Sequence, residues 1–234
     1  MTIEEMQYEF KRRMNKVDSE RKMNFIPQEV DMLLNEAQMF FVRTVAEPRL
    51  RNHLGFETTQ RTIDDIRTIV VEESVLLQSQ SAPDSYVLPS DYMYYVSGYV
   101  LCSTDTCASI KCGLFIQKHN DMFEQSEFAK SSIRWRTING TFSKDGLRIY
   151  MPEGAYFDTG TFDGVYVTYI KAPQRIAFGA YQMPDGSMKV KSGCELPENT
   201  HSEIVDIAVA FACNSISSAD YNIKLNKLTL NELK

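Results

Sequence analysis

Along the first third of the chain, apolar residues return at the interval of a helical turn. Ile3, Met6, Phe10 and Val17 fall on one face, with Lys11, Arg12, Arg13 and Lys16 largely on the others. Thr2-Ile-Glu-Glu5 has the form of a capping box, in which hydroxyl and carboxylate reciprocally satisfy free backbone N–H groups. A second helix is predicted from Pro27, since a first helical residue does not need its N–H. Its stripe of Val30, Leu33, Leu34, Ala37, Phe40 and Phe41 is wide enough for a core, and Pro48 ends it. A third, shorter helix is predicted over Thr62–Ile69, with Thr62 and Asp65 as a capping pair and Ile63 and Ile66 facing inward.

Near residue 69 the period changes. Ile69-Val70-Val71 and Ser74–Leu77 are β-branched or apolar without helical spacing, and Asp84–Cys102 is dense in Tyr and Val, which suit a pleated, half-buried surface. Further strands are predicted at Ile110–Ile116, Ser132–Ile138, Gly146–Met151 and Gly164–Ile170. Asn139-Gly140, Asp145-Gly146, Asp163-Gly164 and Asp185-Gly186 read as turns between them. Asn120–Lys130 reads as a short helix or an ordered excursion. Thr200-His-Ser-Glu203 forms another capping box before Ile204–Ala212, a segment apolar on nearly every side and so expected to be buried. The tail after Asp220, with Leu225, Leu228, Leu230 and Leu233, reads as a last strand or an arm.

The organisation is α+β: an amino-terminal helical hairpin or bundle, an antiparallel β-rich middle and a closing buried carboxyl-terminal helix. Residues 1–24 read as an added helix or arm, 25–80 as the helical part, 81–199 as the β-rich part, and 200–234 as a helix and tail packing back on the core. The expectation is one compact unit.

Composition narrows the class more than the function. With 25 Lys+Arg against 31 Asp+Glu, the charge of −6 argues against a general nucleic-acid binder, which needs a basic face. No apolar run approaches the roughly 18–20 residues of a membrane span, and no signal peptide is seen, so a soluble, intracellular-type chain is expected. Cys102, Cys107, Cys112, Cys194 and Cys213 include no CxxC pair, and reduced, buried thiols are expected.

Candidate chemistry is sparse. His53, His119 and His201 are scattered, and HExxH, GxSxG, P-loop and GxGxxG motifs are absent. The doublets Asp64-Asp65 and Glu72-Glu73 read as solvated surface, because neighbouring side chains point different ways. A Cys–His nucleophile pair brought together by folding stays open, since such partners are spatial rather than sequential. No catalytic, cofactor-binding or metal-ligating residue is assigned, and the chain is read as a non-enzyme with no cofactor. The cations Lys11, Arg12, Arg13, Lys16, Arg21 and Lys22 are nearly balanced by acids and read first as an exposed helix face, second as a docking arm. Arg49 and Arg51 are expected in a loop. The aromatic Tyr92–Tyr99 run reads first as a sheet face, and second as material for a permanent oligomer interface.

The order of segments resembles a known family. Tyr86-Val-Leu88-Pro89-Ser90-Asp91-Tyr92 is similar to the Leu-Pro-x-Asp-aromatic step of head–tail adaptors and tail tubular (gatekeeper) proteins of short-tailed bacteriophages. In that family a helical part precedes the step and an antiparallel β part follows it. Ser131-Ser-Ile-Arg134-Trp135-Arg136 with Asn139-Gly, and Leu147–Tyr150 with Val165–Tyr169, resemble structural proteins of crAss-like phages. The resemblance covers most of the chain from about Phe25.

It implies a virion component without chemistry of its own: a ring-shaped homo-oligomer, usually twelve-fold, beneath the portal protein. Such a ring extends the DNA channel, passes DNA without specific binding and docks other ring, tail or fibre proteins. It would be assembled in the bacterial host cytoplasm, with no membrane partner. The competing readings are a carbohydrate- or receptor-binding β module of a phage tail, resting on exposed Tyr and the single Trp135, and a Cys/His-dependent enzyme. Two mutational expectations follow from the pattern. Phe40→Asp strands a charge in the core and unfolds or dissociates the subunit. Removing residues 2–22 leaves a folded core that assembles poorly.

Overall fold

The computed structural model describes residues 1–15, 25–46, 63–79, 82–104, 109–123, 131–144, 146–150, 160–179, 181–182 and 188–215. Packing divides the chain into two compact units, Met1–Ile69 with Ala172–Lys234, and Val70–Lys171. The β-rich unit is thus inserted into the helical one. The sequence reading had a single unit with joins at 24, 80 and 199; nothing in composition marks the observed joins, which only pairing partners reveal.

The helical unit holds α1 (Ile3–Asn15), α2 (Pro27–Ala46), the single turn α3 (63–66) continued by a 3-10 turn at Arg67–Ile69, and α5 (Glu198–Ser215). The first capping box forms: Thr2 N–H donates to Glu5 Oε2 at 2.8 Å, and Glu5 N–H donates to Thr2 Oγ1 at 3.3 Å. α2 opens with half of the same device, Ile26 N–H donating to Glu29 Oε2 at 3.0 Å. The box predicted at Thr200 does not cap. α5 starts two residues earlier, and both Thr200 N–H (3.0 Å) and Thr200 Oγ1 (2.8 Å) donate to the carbonyl of Pro197, which closes the first turn.

α5 packs against both α1 and α2. Ile204, Val205, Ala208 and Ala212 are buried, and the small alanines let neighbouring backbones approach. Ile3, Met6 and Phe10 are at most 3% exposed, so α1 is part of this core, not the added arm that the sequence suggested. Arg13 pairs with Asp206 at 3.0 Å and donates to the Ser202 carbonyl at 2.8 Å, which spends one cation of the supposed arm on holding α1 to α5. Val17, Arg21 and Lys22 lie outside the described residues, as does the tail from 216. The α2 stripe is shifted: Val30, Leu34, Ala37, Phe41, Val42 and Val45 are buried, while Phe40 is 46% exposed at the rim, edge-to-face with Phe211 at 5.5 Å. Ile66 faces inward as expected, but Ile63 is exposed.

The inserted unit is a closed barrel of order β1-β2-β6-β5-β4-β3-β7. Its strands are β1 (Val70–Ser79), β2 (Ala82–Val87), β3 (Tyr92–Thr104), β4 (Ile110–Ile116), β5 (Thr137–Ser143), β6 (Gly146–Tyr150) and β7 (Gly160–Lys171), with the short helix α4 (His119–Phe123) after β4. Pairing is antiparallel except between β4 and β5, which run parallel with Gly113 opposite Thr137. Alternate residues fill the interior: Val75, Val100, Cys102, Cys112, Leu114, Ile138, Leu147, Ile149, Val165, Val167 and Tyr169. Bulges between Tyr92/Tyr94 and Tyr95/Ser97 break the alternation, which explains how Tyr92 and Tyr95 both reach the core while Tyr94 and Val96 stay exposed.

The turn signals were partly misread. Asn139-Gly140 and Gly164 lie inside paired strands. Gly146 (φ +130°) begins β6 after the β5–β6 turn, and a Cβ there would sit 2.2 Å from the Tyr86 carbonyl oxygen. Asp185-Gly186 lies outside the described residues, between the paired β8 (Tyr181–Gln182) and β9 (Met188–Lys189) of the helical unit.

Candidate interaction surface

Of Ser132–Ile138, predicted as a strand, Thr137 and Ile138 do open β5, whereas Ser132–Arg136 is a hairpin turn leading into it. Ser132 and Thr137 exchange backbone hydrogen bonds at 2.7 and 3.0 Å, and Arg136 N–H donates to the Ile133 carbonyl at 3.0 Å. Ile133 is 3% exposed and plugs the barrel core, which anchors the turn from below. Above it Arg134, Trp135 and Arg136 are all exposed, Trp135 at 72%, with the Arg134 guanidinium 5.8 Å from the indole centroid. Arg136 has φ +55°, a left-handed conformation costing about 1–2 kcal/mol for a residue with a Cβ. A strained arginine beside an exposed tryptophan on a pinned turn is a preorganised display of the two side chains most often found as interface anchors.

Further round the barrel the surface is different. On the outer face of β3, β7 and β1, Tyr99 stacks on Tyr166 with centroids 4.9 Å apart, and Tyr99 OH donates to Glu72 Oε1 at 3.0 Å. Burial first, then the Glu72 carboxylate, raises the Tyr99 phenol above its usual range. Lys111 Nζ lies 3.5 Å from the Tyr99 ring centroid. The exposed Asp163 accepts from Ser103 Oγ at 2.7 Å.

The Leu88–Tyr92 step has a structural role here. Tyr92 N–H donates to the Pro89 carbonyl at 3.1 Å, closing a turn that presents Asp91 to the buried Tyr169, whose OH donates to Asp91 Oδ1 at 3.0 Å. Tyr92 packs on Tyr169 and Phe142 at 5.7 and 5.8 Å, closing off the interior at this end of β3. Burial, seconded by Asp91, holds the Tyr169 phenol well above its ordinary range.

In the helical unit, α2 turns a polar stripe toward the segment after β7. Asp31 is 1% exposed; its Oδ1 accepts from Gln7 Nε2 at 2.9 Å, and its Oδ2 from Phe178 N–H at 2.8 Å and Tyr181 OH at 2.9 Å. One turn on, Asn35 imitates a strand partner: its Oδ1 accepts from Ile176 N–H and its Nδ2 donates to Ile176 O, both at 2.8 Å. Gln38 Nε2 then donates to Gln174 O at 3.0 Å. A groove of about 700 Å³ runs between α2 and residues 172–177, edged by Met32, Met39 and Val190. The periodicity of α2 signalled its apolar face; the equally periodic Asp31, Asn35 and Gln38 were the unread second stripe.

The other candidates are dispersed. His119 is exposed, its Nε2 2.8 Å from Phe142 O; His201 is buried between the carbonyls of Met1 (3.1 Å) and Leu196 (2.8 Å); His53 and Cys107 lie outside the described residues. Cys102, Cys112 and Cys213 are buried and Cys194 partly so, all reduced. Burial pushes the Cys102 thiol up to about 12, with Cys112 as a second cause. Glu72, Glu73 and Asp64 are exposed, as read, but Asp65 is buried and accepts from Asn199 Nδ2 at 2.9 Å. Among the described residues no group of three or more His, Cys, Asp or Glu gathers as a metal site, and no helix is long and apolar enough to cross a membrane. No protein-family model matches the chain, and no curated protein is significantly similar to it in sequence.

Proposed function

We propose that this chain is a structural ring subunit of the head–tail connector of a short-tailed, crAss-like bacteriophage. In the virion it sits beneath the portal, extends the DNA channel and docks tail components, without chemistry of its own. The observation that carries the reading is the pinned Arg134-Trp135-Arg136 turn, an exposed anchor of the kind used between proteins rather than around a reactant. The Leu88–Tyr92 step, which carries the family resemblance, supports it by closing one end of the barrel. Mass photometry of the purified protein, alone and mixed with portal, is the test: closed rings or a portal complex are expected. A species that stays monomeric in both samples refutes the reading.

Trp135 also favours one other reading, a carbohydrate- or receptor-binding module of a phage tail. Titration of its fluorescence against host polysaccharides separates the two. The ring subunit gives no saturable change, whereas the binding module does.

A further inference from the structure

A ring demands a heterologous contact, in which one patch of each subunit meets a different patch of the next. Resting on the ring reading above, we propose that the Arg134-Trp135-Arg136 turn of one subunit docks on the Tyr99–Tyr166 face of a second copy, with the arginines meeting Glu72 and Asp163.

Glu72 on β1 and Tyr166 and Asp163 on β7 lie well round the barrel from the turn, while Tyr99 on β3 is nearer to it, opposite Gly113 of β4, which in turn faces Thr137. The turn opens β5, and in the circuit β1-β2-β6-β5-β4-β3-β7 both β1 and β7 lie three steps from β5, one in each direction. Copies set side by side in one orientation therefore bring the turn of one to the β1–β7 wall of the next. The charges are complementary on balance, two carboxylates against the single cation Lys111, whose Nζ lies 3.5 Å from the Tyr99 ring centroid. Among the described residues neither Arg134 nor Arg136 makes an ion pair, while Glu72 and Asp163 are exposed carboxylates held only by hydroxyl donors, Tyr99 and Ser103. The surfaces are complementary as well. Gly164 places no Cβ under Tyr166, whose ring lies 3.2 Å from where that Cβ would be, so the ring lies against β7 beside the Tyr99 ring and offers aromatic area to an indole. Both patches are fixed before they meet, the turn by Ile133 and the tyrosines by their stack and Glu72, which lowers the ordering cost of association.

The test is a charge swap on the full chain, with each variant first shown by its thermal melt to be folded. Arg134→Glu/Arg136→Glu makes both walls acidic, and Glu72→Arg/Asp163→Arg makes both basic. Each alone is expected to need at least tenfold more protein for half-assembly in mass photometry. Mixing the two, or combining all four changes in one chain, restores rings at close to the wild-type concentration. Wild-type assembly also weakens as salt rises above 0.15 M, as contacts between opposite charges do. Rings that survive either reversal overturn the contact while leaving the ring reading intact. A wild-type chain that is monomeric with and without portal overturns both. Salt-sensitive binding of a single-stranded oligonucleotide by the wild type, lost in Arg134→Glu/Arg136→Glu with assembly unchanged, assigns the turn to nucleic acid and overturns the contact.

Discussion

Replacing Asp31 with alanine takes the acceptor away from three donors at once. Gln7 Nε2 keeps the Pro27 carbonyl at 3.2 Å, and Tyr181, only partly buried, can turn its hydroxyl to water. Phe178 N–H has no such freedom, because a backbone donor cannot rotate away from the site it faces. One orphaned donor costs about 1–3 kcal/mol, and losing the charge-assisted bond to Tyr181 adds about 1 kcal/mol, so the total is about 2–4 kcal/mol. For a chain of this length that lowers the melting temperature by roughly 10 °C. Asp31→Asn keeps an oxygen for Phe178 and Tyr181, but its new amide is met only if the Gln7 amide flips and gives up the Pro27 carbonyl, at about 1–2 kcal/mol. Circular dichroism melts of the two variants supply the comparison. A cycle with Tyr181→Phe isolates the pair: that change costs about 1 kcal/mol in the wild type and close to nothing beside Asp31→Ala. An Asp31→Ala protein melting within a degree or so of wild type, or an Asn variant as damaged as the Ala one, would refute the account of this network.

Other expectations concern both units. Burial pushes the Tyr95 and Tyr181 phenols up to about 12, and raises that of Tyr169 as well. Unfolded tyrosines titrate near about 10, so the unfolded chain sheds these protons first; stability is intact below about pH 10 and falls as pH climbs toward about 12. Absorbance at 295 nm should show these phenols ionising only together with loss of the circular dichroism signal, and free titration in a still-folded protein contradicts this. Gly146→Ala meets the Tyr86 carbonyl at 2.2 Å in a left-handed conformation, and should cost about 3 kcal/mol or more, read as lost amide-exchange protection across β5 and β6. Deleting residues 2–15 uncovers the partners of Ile3, Met6 and Phe10, at about 2 kcal/mol each, a sum comparable to the whole stability of many domains. Cooperative melting should disappear; its survival would return α1 to the status of an arm. Phe40→Asp, by contrast, should leave a folded protein destabilised by no more than about 2 kcal/mol, because the charge lands at a half-open rim. A wholly unfolded Phe40→Asp protein contradicts that placement.

Periodicity made the helices legible because each buries one continuous stripe, and it located most strands through their β-branched and aromatic density. It failed where tertiary partners decide. Asn139-Gly140 looks like a turn in isolation, yet β4 on one side and β6 on the other hold it in a strand. Arg136 looks like strand continuation, since nothing local announces a left-handed arginine. Thr200 looks like a cap, but Pro197 upstream offers the first-turn donors a carbonyl. Barrel closure rests on β1 pairing with β7 across nearly a hundred positions, a distance at which hydrophobic pattern carries no information. The Leu88–Tyr92 step carried only a resemblance, while the reason for its Asp91, a buried phenol on β7, becomes visible only in the fold.

The insertion of the barrel also sets a timetable for synthesis. α1 and α2 leave the ribosome early, but α5, which both pack against, follows the whole of Val70–Lys171. At about 5–20 residues per second the two leading helices wait on the order of ten seconds, their greasy stripes uncovered, while the barrel has everything it needs to close. Nascent chains of this protein should therefore engage holdase chaperones through α1 and α2, and let go of them only when α5 emerges.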